Sequence, residues 1–229
     1  MKKLIIFDLD NTFYEYEDAH QKGIKNVFSS QKIYKDFDDF NSKYNLVKNK
    51  IHKLVPDNPS RHSKLIYFKN IFFDELDLSE IINLENIYWS SFISNAKLQE
   101  KAINILRKKK KQEDIFVLLT NQNLNIQLRK INEWNLNLFD FVITSEEVGY
   151  EKPNPRFFNY VKNNIINFST DDFKIYAIGD DLDNDISFWT ENFNASGYLI
   201  DNSRLEYISD ENIKVSSLNH AIEDIFHTN

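Results

Sequence analysis

The sequence predicts an α/β protein with a Rossmann-like three-layer α/β/α core on a parallel sheet and a helical module inserted after the first strand. Three observations carry this. Short apolar runs recur along the chain and each stops abruptly at polar residues. Helical periodicities fill most of the intervals between them. Residues 14–96 show helical spacing with no convincing strand.

Residues 3–7 form the first run and end in Asp8-Leu9-Asp10-Asn11-Thr12, the pattern of a buried parallel strand with polar side chains at its carboxyl end. In open α/β sheets that end is where ligands bind. Residues 115–120 repeat the pattern and finish at Thr120-Asn121, as do residues 141–144, and residues 175–179 lead into Asp180-Asp181. A shorter run covers 197–200. Between the runs, Leu98, Ala102, Ile105 and Leu106, then Leu124, Leu128 and Ile131, then Phe158, Val161 and Ile165 recur at three-four spacing, and Leu218, Ala221, Ile222, Ile225 and Phe226 close the chain.

Phe37, Phe40, Tyr44, Val47, Ile51 and Leu54 follow the same spacing within the insert, as do Leu65, Phe68 and Phe72. The expected organisation is a core of residues 1–13 and 97–229 and a helical cap of residues 14–96. Its crossings fall at 13–17 and 94–98. The insert leaves and rejoins at the carboxyl edge of the sheet, so it is placed to cover that edge. Residues 56–60 read as its one clear loop, with Ser60 as the N-cap of the next helix.

With a net charge of −7, the chain is not built to coat a phosphate backbone, and nucleic acid is not an expected partner. Lys108 to Lys111, after Arg107, read as the solvated end of an amphipathic helix, where cations suit the helix dipole. The absence of cysteine removes disulfides, thiolate metal sites and thiol nucleophiles, which leaves carboxylates, histidines, hydroxyls and lysine for any catalysis. No apolar stretch approaches the roughly 20 residues that span a bilayer, so no membrane partner is expected. The run at residues 4–7 is too short for a signal-peptide core, and the expected location is cytoplasmic.

Four clusters carry candidate chemistry. Asp8 and Asp10 stand two apart at a strand end, where such side chains share a face if the strand persists. Two carboxylates that close are tolerated when a divalent cation neutralises them or when one keeps its proton; acids at such junctions also serve turns and caps, so the pair alone decides nothing. Thr120 and Asn121 offer a hydroxyl and backbone amides to a phosphate oxygen, but an ordinary helix start is the stronger reading of that pair alone. Lys152, in Glu151-Lys152-Pro153-Asn154-Pro155, is held extended by the following proline, yet a lone lysine is usually only solvated. Gly179-Asp180-Asp181-Leu182-Asp183-Asn184-Asp185 packs hard oxygen ligands at a density suited to magnesium. The calcium-loop pattern is not met, because Ile186 follows where glycine is required.

Taken in order, DLDNT at 8–12, LLTN at 118–121, EKPNP at 151–155 and GDDLDND at 179–185 resemble the four motifs of the haloacid dehalogenase superfamily. The helical insert is similar to the cap of the subfamily that holds phosphoglycolate phosphatases and pyrimidine nucleotidases. The resemblance implies an Mg2+-dependent phosphatase in which Asp8 attacks phosphorus to form an aspartyl-phosphate and Asp10 is general acid and base. It further implies that Thr120 and Asn121 grip the phosphoryl oxygens and that Lys152 neutralises charge on nucleophile and phosphate. Asp8, Asp180, the Asp10 carbonyl and Asp185 would serve the metal, with Asp185 holding a coordinated water or orienting Lys152. Two-carbon haloacid dehalogenases lack the second aspartate of the first motif, so Asp10 favours phosphoryl transfer. Asp181 replaces a frequent serine and leaves the ligand list open, while Trp189 and Thr190 replace a small pair for packing.

The expected substrate is a small phosphorylated metabolite. Its leaving group would be selected by residues of or near the cap such as Phe13, Tyr14, Glu15, His62 and Lys64. A phosphomutase of the same fold and a non-catalytic binding protein are the alternatives.

Overall fold

The computed structural model describes residues 2–56, 58–164, 172–201, 208–210 and 212–227. The apolar runs form strands β1 (Lys2–Phe7), β2 (Ile115–Thr120), β3 (Phe141–Thr144), β4 (Phe173–Gly179) and β5 (Ser196–Ile200), and two short strands follow, β6 (Ile208–Asp210) and β7 (Ile213–Ser216). They make one sheet of order β3-β2-β1-β4-β5-β7-β6, parallel throughout except for β6 against β7. The last two strands had no counterpart in the sequence reading, because Ile-Lys-Val-Ser is too short and too polar to stand out as an apolar run.

Alternate residues of β1 enter opposite layers. Ile5 and Phe7 join Phe116, Leu118 and Ile178 in one core, under helices α5 (Glu100–Lys109), α6 (Leu124–Glu133) and α10 (Leu218–His227). Leu4 and Ile6 join Val117, Leu119 and Ala177 in the other, under α8 (Pro155–Asn164) and α9 (Ser187–Phe193). A one-turn helix, α7 (Ser145–Val148), follows β3. This is the three-layer α/β/α sandwich expected of runs that are apolar on both faces. Ile165, counted above with α8, lies outside the described residues. Trp189 fills the second core against Phe158, Phe188 and Phe193.

Between β1 and α5 lie four helices, α1 (Tyr16–Ser30), α2 (Phe37–Leu54), α3 (Lys64–Phe72) and α4 (Leu78–Asn95). Asp36 caps α2 through the Asp38 and Asp39 amides, and Asp77 with Glu80 closes a capping box on α4. Ser60 is not the N-cap expected of it. Asn58 caps a 3-10 turn at Pro59–His62, and Ser63 caps α3 by accepting from the Ile66 amide. The two crossing segments run side by side: Tyr14 bridges Leu98, and the Gln99 amide donates to the Phe13 carbonyl at 2.9 Å.

The register sets the site. Phe7 pairs with Leu118 on one side and Ile178 on the other, which brings Asp8, Thr120 and Asp180 to one edge. The chain passes from β1 outward to β2 and β3, then returns to place β4 on the far side of β1. The carboxyl ends of β1 and β4 therefore flank the point where the strand order reverses, the place where α/β sheets bind ligands.

Candidate active site

Asp8 follows β1 directly, its amide still held by the Ile178 carbonyl at 2.9 Å. The backbone then turns away through Asn11, whose φ of 60° is a left-handed conformation that asparagine tolerates better than most residues. The Asn11 side chain accepts from the Tyr16 amide at 3.0 Å and bonds to the Asp180 carboxyl.

Lys152 arrives on the loop after α7 and is buried. Its ammonium donates to Asp8 Oδ1 at 2.9 Å, to Asp185 Oδ1 at 2.6 Å and to the Leu119 carbonyl at 2.7 Å, so its three protons are all used. Burial alone would pull the ammonium down, but Asp185 and Asp8 outweigh it and raise its pKa. The loop is fixed by Asn121, whose side-chain amide donates to the Lys152 carbonyl at 2.9 Å and whose Oδ1 accepts from the Lys152 amide at 2.8 Å. The second motif thus holds the third in place.

Asp185 sits one turn into a π-helical segment, Leu182–Ile186. Asp181 caps that segment, accepting from the Asp183 and Asn184 amides at 3.0 and 2.9 Å. This accounts for Asp181 as a turn-forming residue. Gly179 makes room for Asp185: a Cβ there would lie 2.3 Å from the Asp185 Cβ.

Ligand oxygens of Asp8, Asp180 and Asp185 lie within 4.8 Å of one another. Burial, opposed by Lys152 and reinforced by the neighbouring acids, raises Asp8 well above the usual carboxylate range. Burial and then Asp185 push Asp180 up to about 6. One buried lysine does not neutralise this group of acids. Closely spaced hard oxygens with uncompensated negative charge fit a divalent cation of the magnesium type. The same residues, with Asp10, Asn11, Thr120 and Asn121, line an open cavity of about 170 Å³.

A family model described as a haloacid dehalogenase-like hydrolase matches residues 2–188. The chain belongs to this family. Among its relatives, a ribulose-1,5-bisphosphate 5-phosphatase of Halopiger xanaduensis is 28% identical over 196 residues, covering 82% of this chain and 80% of that protein. The HAD-hydrolase YfnB of Bacillus subtilis, solved bound to magnesium, superposes with a TM-score of 0.66 at 19% identity, covering 99% of this chain and 97% of that one. A 2-haloacid dehalogenase of Pseudomonas syringae gives the same TM-score at 15% identity, with both chains fully covered. These two structural likenesses establish the haloacid dehalogenase-like fold.

Around Asp10 the structure adds residues that sequence periodicity had missed. Lys130 donates to Asp10 Oδ1 at 2.5 Å and to the Tyr14 hydroxyl at 2.9 Å, Tyr14 donates to the same carboxylate oxygen, and Gln127 donates to Asp10 Oδ2 at 3.0 Å and to Thr120 Oγ1 at 2.6 Å. Burial pushes the Asp10 carboxyl up, but the Lys130 charge and these hydrogen bonds win and hold it below the usual range. The apolar spacing of α6 put Leu128 inward; it is 47% exposed, and Gln127 and Lys130 are buried instead. The available signal was that polar pair at i, i+3, one helical face, directly after the second motif.

The five candidate selectivity residues separate. Phe13 packs in the core against Phe7 and Phe139, and Tyr14 serves Asp10. Glu15 is exposed at the start of α1. His62 bonds to Glu151 at 2.9 Å, beside an Arg61–Glu151 ion pair, which ties the 3-10 turn to the Lys152 loop. Lys64 is buried in the helical segment.

Proposed function

We propose that the chain is a phosphatase that hydrolyses a small phosphomonoester through an aspartyl-phosphate on Asp8. The observation that carries this reading is the buried Lys152 ammonium 2.9 Å from Asp8 at the strand-order reversal. A buried carboxylate is costly, and Lys152 opposes the loss of its charge and fixes the direction of Oδ1.

In the first displacement an Asp8 oxygen forms a bond to phosphorus while the bond to the leaving oxygen breaks, and Asp10, a carboxylate beside Lys130 in the free protein, passes to that oxygen the proton that a monoanionic phosphate ester brings. In the second, Asp10 takes a proton from water as the water oxygen attacks phosphorus and frees Asp8. Thr120, held by Gln127, and the Asn121 backbone amide are the donors for the phosphoryl oxygens, and Lys152 offsets charge shared by Asp8 and phosphate. Mg2+, held by Asp8, Asp180 and the Asp10 carbonyl with Asp185 behind them, would supply the positive charge that this acid-rich group lacks. The presence of Asp10 and the named activity of the Halopiger relative both favour phosphate ester hydrolysis over dehalogenation. We assign residues 14–96 to a cap over this site, held to the core by Arg61 and His62 on Glu151.

Incubation with 4-nitrophenyl phosphate and Mg2+ is expected to release phosphate, with loss on chelation and recovery on adding Mg2+ back. The Asp8→Asn protein should release none. An unaltered rate in that variant would sink the nucleophile assignment.

A further inference from the structure

The buried cations of the molecule are unequally matched. Lys152 has Asp8 and Asp185, and Lys130 has Asp10. Lys64, at the first turn of α3, is 5% exposed, and among the described residues its ammonium has neither an acid nor a hydrogen-bond acceptor. Its neighbours are ring faces, with Tyr67 at 5.1 Å, Tyr88 at 5.5 Å and Trp89 at 5.8 Å. Aromatic faces attract a cation but do not accept its three protons.

Two further observations place this ammonium toward the reaction. The Trp89 indole is shared: Lys130, the partner of Asp10, lies 5.6 Å from the same ring. The hydroxyl of Tyr44, whose ring packs on that of Tyr67, is fully buried without a hydrogen-bond partner. An ammonium without an acceptor and a tyrosine whose hydroxyl lacks a partner therefore both pack on the Tyr67 ring, in an aromatic wall that reaches Lys130 and Asp10 through Trp89. Burial, with Lys48 and Lys130 as like charges and the Asp10 charge opposing them only in part, pulls Lys64 down to about 7.

We propose that Lys64 is the subsite for a second anionic group of the substrate, so that the preferred phosphomonoester carries another phosphate or a carboxylate away from the scissile phosphate. The inference rests on the phosphatase reading and gives it a substrate class. A buried charge without a partner destabilises the free protein, and a ligand anion would repay that cost on binding.

The test compares kcat/KM for ribulose 1,5-bisphosphate, 3-phosphoglycerate and glycerol 3-phosphate in the Mg2+-loaded protein, in Lys64→Met and in Lys64→Arg. At least one doubly anionic probe should be preferred over glycerol 3-phosphate, and which one tells phosphate from carboxylate. Lys64→Met should reduce that preference roughly ten- to a hundredfold, the value of a charged hydrogen bond, while Lys64→Arg keeps most of it. Lys64→Met should also melt no lower than the parent, because it removes an unpaired buried charge. A parent that shows no preference, or a preference that survives Lys64→Met, overturns the proposal. Calorimetric binding of ribulose 1,5-bisphosphate and 3-phosphoglycerate to Asp8→Asn, with and without Lys64→Met, keeps the two readings apart. If the parent releases phosphate from no probe, the phosphatase reading falls, and equal binding of both probes to the two proteins removes the subsite.

Discussion

The Lys130 ammonium lies 2.5 Å from Asp10 Oδ1, with its side chain fully buried and that of Asp10 only 23% exposed. Asp10 is thus held as a carboxylate by a helix that sequence periodicity assigns a different inner face. Removing one member of such a pair strands the other in a dry site. Lys130→Met is expected to lose about 2–3 kcal/mol of stability, below the full cost of a broken buried pair because Asp10 is partly solvated. Adding Asp10→Asn should recover about 1 kcal/mol of that loss, since the stranded charge is gone. Urea unfolding of the four proteins of this cycle measures it; strictly additive losses would show that the two groups are not coupled.

Asn121 lines the same cavity as Asp8 and holds both backbone groups of Lys152. Asn121→Ala should lower kcat at least tenfold through misplacement of the Lys152 ammonium, and cost about 1–2 kcal/mol for two lost hydrogen bonds. Asn121→Asp retains the acceptor for the Lys152 amide but sets an oxygen against the Lys152 carbonyl. Its kcat should fall between those of the parent and Asn121→Ala. Equal activity of all three proteins would mean that the loop is fixed by other contacts.

The parts of the site that lie at strand ends were legible because a parallel strand buried on both faces must be apolar, so Asp8, Thr120 and Asp180 stand out where each run stops. Helices hid the rest. On α6, Lys130 and Gln127 turn inward because Asp10 repays their desolvation, whereas apolar spacing alone pointed to Leu128. On α3 the spacing began at Leu65, which is 41% exposed, while the adjacent Lys64 is buried against rings. Asp181 and Asp185 are alike in sequence, and only the π-helical turn separates a cap from a buried acid facing Lys152.

Gly179 has ordinary backbone angles, so its requirement is space alone. A Cβ would lie 2.3 Å from both the Cβ and Oδ2 of Asp185. Gly179→Ala should therefore push Asp185 off Lys152, raise the Mg2+ concentration needed for half-maximal activity, and cost about 1–3 kcal/mol by overpacking. Magnesium titrations of phosphate release and thermal melts of the two proteins check this. A variant with the parent's magnesium requirement would show that Asp185 can shift without consequence.

His20 lies in the helical segment, stacked on Tyr16 and bonded through Nδ1 to the Tyr88 hydroxyl at 2.7 Å. Burial, followed by Lys64 and Lys48, pulls its pKa down to about 3, well below an ordinary imidazole. The unfolded chain therefore binds a proton near pH 6.5 that the folded protein refuses until about pH 3. Stability is complete above 6.5 and is lost as pH falls through that window, by up to about 1.4 kcal/mol per pH unit from this one group. Carboxylates add their own losses toward the acid end, so the informative quantity is the difference between parent and His20→Gln. Between pH 6.5 and 5 the unfolding free energy of the parent should fall more steeply than that of His20→Gln. Parallel slopes would mean that His20 takes up its proton in the folded state, with the aromatic cluster around it open to water.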